Sequence, residues 1–242
     1  MKELSYIKFF QVLKSLFKNL MYNKNIDIKV GGLFKMSYKI ETIRKKDHHT
    51  SKWSGGTTTQ LLIYPKDSEY SERNFRWRLS SAKVEVEESV FTFLPGISRI
   101  IMIIDGELNL HHEGHHNALL KKFDQDNFNG EWETKSYGKV TDFNLMMSQC
   151  CGGKLETILL KSGDLQDILL HRLDSKNYSQ ITDAFYCVNG EVDISTNTDE
   201  KLNLSAGDVL VITRSINASP ISFKLLNTSN SKAEIIRSII YY

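Results

Sequence analysis

The stretch from Phe75 to Leu110, FRWRLSSAKVEVEESVFTFLPGISRIIMIIDGELNL, constrains the fold more than any other part of the chain. Phe75, Trp77 and Leu79 fall on one side of an extended backbone, and Arg78, Ser80, Ala82, Val84 and Val86 on the other. A period of two over about a dozen residues specifies a β-strand, because successive side chains of a strand point to opposite faces. Phe91-Thr92-Phe93-Leu94-Pro95-Gly96 then makes a corner. The continuous apolar run Ile100–Ile104 suits a strand covered on both faces. Asp105-Gly106 is a strong hairpin-turn dipeptide, after which Leu108 and Leu110 resume the alternation. Such a pattern belongs to the middle of an antiparallel barrel or sandwich.

A chain of 242 residues allows one large or two small domains, and 40% hydrophobic with 25% charged residues is ordinary for a globular protein. Cys150, Cys151 and Cys187 include no CxxC pair, and sequence neighbours rarely join each other. A reduced, cytoplasmic chain is expected. No apolar run approaches the ~18 residues of a membrane span. Residues 1–35 hold seven Lys against one Glu and one Asp, a net of +5; with the whole chain at +2, the remainder carries −3. Basic residues in that remainder are dispersed, so neither nucleic acid nor membrane is an expected partner.

The first 35 residues admit two readings. Phe10, Leu13, Phe17 and Leu20 sit at helical spacing on a basic background. The preferred reading is a translated leader outside the packed body: Gly31-Gly32 can be encoded by a ribosome-binding sequence three codons ahead of Met36. The expected division is therefore a leader at 1–35, a first barrel at 36–150 and a second at 151–242.

Trp53-Ser54-Gly55-Gly56-Thr57-Thr58 precedes the apolar Leu61–Tyr64. Paired glycines permit positive φ and exposed backbone N–H groups, which suits either a plain turn or a polar ligand. That block, followed by Trp77-Arg78-Leu79-Ser80 with Ala82, Phe93 with Pro95-Gly96 and Arg99, and Asp142-Phe143-Asn144-Leu145-Met146, resembles the signature of the HutD/Ves family. Order and spacing agree over about residues 37–242. Ser54 stands where many family members carry a third glycine. The resemblance implies an all-β bicupin, two cupin-like barrels in one chain, associated with histidine utilisation or stress and with no firmly attached catalytic activity.

An internal repeat points the same way. Shifted by 84 residues, Asp105-Gly106-Glu107-Leu108-Asn109-Leu110 falls on Asn189-Gly190-Glu191-Val192-Asp193-Ile194. Leu120 then falls on Leu204, Asp124 on Asp208 and Phe128 on Ile212. Many short strands, turn residues and almost no helix suggest closed all-β architecture without exposed edges.

Catalytic signatures are scarce. The HxH of metal-binding cupins is missing; the chain has His111-His112-Glu113-Gly114-His115-His116 instead. With Glu113-Gly114 as the turn, His112 would face His115 and His111 would face His116, leaving no set of three converging ligands. A solvated hairpin tip is expected, with His112 and His115 the only weak metal candidates. Neither a GxSxG motif nor a Cys beside a partner His is present, and Cys150-Cys151 reads as inert. Asp124–Gly130 resembles part of a calcium loop but lacks its closing Glu, so a turn is expected.

Two functional classes follow: a metal-free binder of a small molecule, or a metal-dependent cupin enzyme using the His111–His116 hairpin. The lack of HxH favours the first, with no cofactor, no catalytic residue, and a small-molecule ligand as partner beside an optional second copy of the chain. Carrying the parity of Val84 and Val86 back along the strand turns Arg78 and Ser80 inward. A buried guanidinium needs a carboxylate or several acceptors. One reading has Arg78, with Ser80 and Thr58, gripping a ligand carboxylate. The other is an internal ion pair with Asp142. Trp53, Gly55, Gly56, Thr57, Arg99, Asp142 and Asn144 complete the expected ligand site at the barrel mouth.

Overall fold

A computed structural model describes residues 38–173, 175–196 and 201–242; the expected leader at 1–35 lies outside them. Strands dominate, and the short 3-10 turn Lys45–Asp47 is the helical element among the described residues. None of the described helices is long and apolar enough to cross a membrane.

Among the described residues nineteen strands form four sheets. β1 spans Tyr38–Ile43, β2 His49–Trp53, β3 Gly56–Tyr64, β4 Trp77–Val84, β5 Glu88–Val90, β6 Ile97–Asp105 and β7 Leu108–His112. β8 spans Asn117–Leu120, β9 Gln125–Asn129, β10 Thr134–Tyr137 and β11 Thr141–Ser148. In the second half β12 spans Gly152–Leu160, β13 Leu165–Leu170, β14 Gln180–Asn189 and β15 Glu191–Thr196. β16 spans Lys201–Ser205, β17 Val209–Ser215, β18 Ile221–Leu226 and β19 Ala233–Tyr241.

The first half pairs a six-stranded sheet, β2-β3-β4-β11-β6-β9, with a four-stranded one, β5-β10-β7-β8. The second half pairs β1-β17-β14-β19-β12 with β13-β18-β15-β16. Allowing for the repeat, β9-β6-β11-β4 and β17-β14-β19-β12 follow the same order, as do the two small sheets. β1, expected within 36–150, pairs along its whole length with β17 of the second half. The expected closed barrels are not formed among the described residues: each sheet is open, with β2 and β9 as edges of the largest. Burial between faces replaces closure. The two large sheets bury Trp77, Leu79, Ile100, Met102, Phe143 and Leu145 against Leu155, Ala184, Val209, Val211, Ile236 and Ile240. Each Leu, Ile, Val, Phe or Met among these stabilises by about 1.5–3 kcal/mol. Edge β2 is exposed throughout and polar but for Trp53, which discourages pairing with another chain.

Opposite faces of the large sheets line separate cores. Val84, Ile101 and Ile103 meet Leu108, Leu110 and Leu120 in the first half; Phe185, Leu210 and Ile212 meet Val192, Ile194 and Leu225 in the second. β6 is thus covered on both faces, which explains its unbroken apolar run. β4 is shorter than its alternation suggests. It ends at Val84, opposite Gly56 where β3 begins, so Val86 has no ladder to join. Phe75 lies ahead of the strand and packs with Leu94, Ile97 and Met146, away from the second half.

Candidate functional site

Register brings the polar residues of β4, β6 and β11 onto one face, directed at the four-stranded sheet. Arg78, Met146 and Arg99 form one row, continued by Phe128 on β9. Ser80, Asn144 and Ile101 form the next, flanked by Gln60 and Asp126. Ala82, Asp142 and Ile103 form a third, with Thr58 opposite Ala82. Arg78, Ser80, Arg99, Asp142 and Asn144 are all buried.

Both guanidiniums are met by neutral groups. Arg78 Nε donates to Gln60 Oε1 at 2.9 Å and Nη1 to Ser80 Oγ at 3.0 Å, while the guanidinium lies 4.4 Å from the Tyr70 ring centre. Arg99 sits 4.6 Å from the Phe91 ring and 5.0 Å from the Phe128 ring. Its Nε has no hydrogen-bond partner, and neither do Asp142 Oδ1 and Asn144 Oδ1. The ion pair weighed between Arg78 and Asp142 is not formed, and neither arginine pairs with a carboxylate among the described residues. Burial pushes Arg99 down to about 10, opposed by the neighbouring Tyr70 and Asp142. Burial also lowers Arg78. It raises the Asp142 carboxyl to about 7, against the pull of Arg99 and the Ala82 N–H. Arg99 and Phe128 also line a groove of about 550 Å³ that includes Asn127, Trp132 and Lys154.

The glycine block lies apart from this cluster. Trp53 and Gly56 close the β2–β3 hairpin at the Val84 end of β4, and Trp53 is exposed. Gly56 has φ of +151°, and a Cβ there would lie 1.9 Å from the Lys83 carbonyl oxygen. A Cβ on Gly55 would overlap the Trp53 ring. The Gly55 carbonyl accepts from the Glu85 N–H at 2.8 Å. Trp53, Gly55, Gly56 and Thr57 therefore serve close backbone approach at this hairpin; of the block, only Thr58 reaches the Asp142 row. Gly56→Ala is expected to lower stability by about 1–3 kcal/mol, read by urea denaturation. Gln60, Tyr70, Phe91 and Phe128, which surround the arginines, were not singled out by sequence; the period-two step from Thr58 to Gln60 was the available signal.

The histidine hairpin differs from expectation. Its loop is Glu113-Gly114-His115, one residue longer than a Glu113-Gly114 turn, with Gly114 at φ +72°. His112 N–H donates to the His116 carbonyl at 2.9 Å, so His112 faces His116 and not His115. His112 is buried, correcting the solvated-tip expectation. His112 Nε2 lies 2.9 Å from Asp126 Oδ2, and His116 Nε2 lies 3.0 and 3.1 Å from the two oxygens of Asp126. Asp126 belongs to strand β9, where the sequence suggested a turn. His115 instead stacks on Trp132 at 3.8 Å, and His111 contacts Asn117 and Glu113. Burial, partly offset by Asp126, lowers the His112 pKa.

Open antiparallel sheets in face-packed pairs, with a buried polar row between them, define an all-β, cupin-like protein. A variant of Bacillus subtilis oxalate decarboxylase has this fold: 7% identity, TM-score 0.60, covering 86% of this chain and 78% of that one. The HutD family model matches residues 45–230, and the chain belongs to the HutD family. PA5104 of Pseudomonas aeruginosa PAO1, a conserved protein of unknown function, is 22% identical with a TM-score of 0.68, covering 84% of this chain and 98% of that one. HutD from Pseudomonas fluorescens SBW25, solved in a formate condition, is 22% identical with a TM-score of 0.57, covering 83% and 98%. No protein of curated function matches the sequence.

Proposed function

We propose that the chain binds a small carboxylate-bearing metabolite between the sheets of its first half and acts as a sensor or modulator of histidine or amino-acid catabolism. In this reading the halves are duplicated cupin-like units, supported by their common strand order. Three free cysteines are in keeping with a reducing cytoplasm.

The observation that carries the reading is a contrast between the halves. The same 84-residue shift that superimposes the hairpins places Arg99 on Asp183. In the second half, buried Asp183 receives Arg214 Nη2 at 3.3 Å and Arg237 Nη2 at 2.6 Å, and Arg237 also meets Glu156. That interior neutralises itself. In the first half Arg78 and Arg99 share one face with Asp142, yet neither forms an ion pair with it, and burial raises the Asp142 carboxyl to about 7. A ligand carboxylate supplies the negative charge and accepts two hydrogen bonds from the planar fork of an Arg.

Thermal-shift titration with formate, acetate and carboxylate intermediates of histidine breakdown tests this. A ligand at 100 times its dissociation constant adds about 2.7 kcal/mol. Asp142 changes charge near pH 7, and its ionised form repels a bound carboxylate. Binding is therefore expected to weaken as pH rises from 6 to 8, and Asp142→Asn to abolish that dependence. If none of these carboxylates raises the melting temperature at pH 6, the reading fails.

A further inference from the structure

We propose that His112, His116 and Asp126 bind one divalent first-row transition metal ion, with Zn²⁺ the ion best matched to two imidazoles and a carboxylate. Their ligand atoms all lie within 4.8 Å of one another. The closest approaches, 2.9 to 3.1 Å, are near the roughly 3.3 Å that separates tetrahedral ligands around a metal at bond lengths of about 2.0 Å.

The surroundings of His112 suit a ligating imidazole. His112 Nδ1 lies 2.8 Å from Thr134 Oγ1, which also reaches the Trp132 carbonyl at 3.3 Å. In the tautomer that carries its proton on Nδ1 and donates it to Thr134, the Nε2 lone pair is free to ligate beside Asp126 Oδ2 at 2.9 Å. A bound ion would take the place of the proton that His112 and Asp126 otherwise share, and the Thr134 contact then becomes the outer-shell bond that orients the ring.

Solvent reaches the position. The His112 side chain is fully buried and that of Asp126 15% exposed, whereas that of His116 is 40% exposed. The ion would enter past His116 and keep a coordination position for water. The ligands come from the end of β7, the far side of its turn and β9, and so span both sheets of the first half. His111 and His115 point elsewhere, which makes them internal controls.

The test is Zn²⁺ titration of the untagged full chain against a chromophoric chelator, with folding checked by circular dichroism. One ion per chain is expected. His116→Ala and Asp126→Asn should each weaken binding beyond the roughly 10–100-fold cost of losing an outer-shell partner. Thr134→Val should weaken it within that range. His111→Ala and His115→Ala should leave it unchanged. Co²⁺ in place of Zn²⁺ should show the intense visible bands of a four-coordinate site, lost in His116→Ala. Substoichiometric binding, or equal loss in the His111 and His115 variants, would mean adventitious capture by surface histidines and overturn the site. Because no carboxylate ligand is present, this outcome is independent of the binding reading above.

Discussion

Asp183→Ala is expected to lower the stability of the protein by about 3–5 kcal/mol, the usual result of leaving buried charges without their partner. Asp183 is fully buried on β14. Its Oδ1 accepts from Arg237 Nε at 3.0 Å and Nη2 at 2.6 Å, and its Oδ2 accepts from Arg214 Nη2 at 3.3 Å. Arg214 Nη2 also donates to the His171 carbonyl at 2.8 Å, but its Nε and Nη1 have no partner. Removing the carboxylate strands the Arg214 guanidinium and leaves Arg237, 5.5 Å from the Phe185 ring centre, with Glu156 alone. For a chain of this size each kcal/mol moves the midpoint by about 2–4 °C, so calorimetry should record a fall of roughly 6–20 °C. Pairing the change with Arg237→Met should recover part of the loss, since a buried ion pair replaced by apolar groups is often neutral or better. A fall equivalent to less than ~1 kcal/mol would show that water solvates the arginines and that the network contributes little.

The contrast between the two interiors could be read from the sequence only in part. Period two put Arg78, Ser80 and Val84 on one face because strand parity is a local property. It failed at Phe75, which precedes the ladder, whereas Val86 packs with the Val84 core although the ladder has already ended. Where the ladder begins and ends is set by another strand, outside any local window. That Arg99 shares the row of Arg78 depends on the register of β11 against two neighbours, and the pairing of β1 with β17 joins strands from different halves of the chain. The histidine cluster escaped for a smaller reason. Adding His115 to the loop, with Gly114 in the left-handed region, exchanges the expected cross-strand partner of His112 for His116. Asp126 then arrives from the facing sheet, which no local pattern encodes. The repeat was the more instructive signal: equivalent strands persist while Arg99 and Asp183 have opposite charge at equivalent positions. Fold follows the apolar rows, and the polar row between sheets is where the halves diverge.

Arg78→Met and Arg99→Met should therefore behave unlike Asp183→Ala. Neither arginine forms an ion pair among the described residues, so the group left behind is the Asp142 carboxyl, which burial already raises to about 7 and which can take up a proton. Keeping Arg99 charged in its site, with its pKa at about 10, costs on the order of 3 kcal/mol, which methionine does not incur. Against this stand its contacts over Phe91 and Phe128, about 0.5–2 kcal/mol each. The Arg99→Met midpoint should stay within about 1 kcal/mol of the parent or rise. Arg78→Met loses bonds from a charged donor to Gln60 and Ser80, at about 1.5–3 kcal/mol each, offset by release of the guanidinium from burial. Binding should respond in the opposite sense. A hydrogen bond to a charged group contributes about 1.5–3 kcal/mol, so each replacement should weaken formate, or whichever carboxylate gives the largest thermal shift, by roughly 10- to 150-fold. The double variant should show no shift at all while remaining folded. Isothermal titration beside urea denaturation separates the two roles: loss of binding with stability kept supports a ligand site. A loss of ~3 kcal/mol or more in stability, with carboxylate binding intact, would instead make Arg78 and Arg99 parts of a structural network and end the ligand reading for this face.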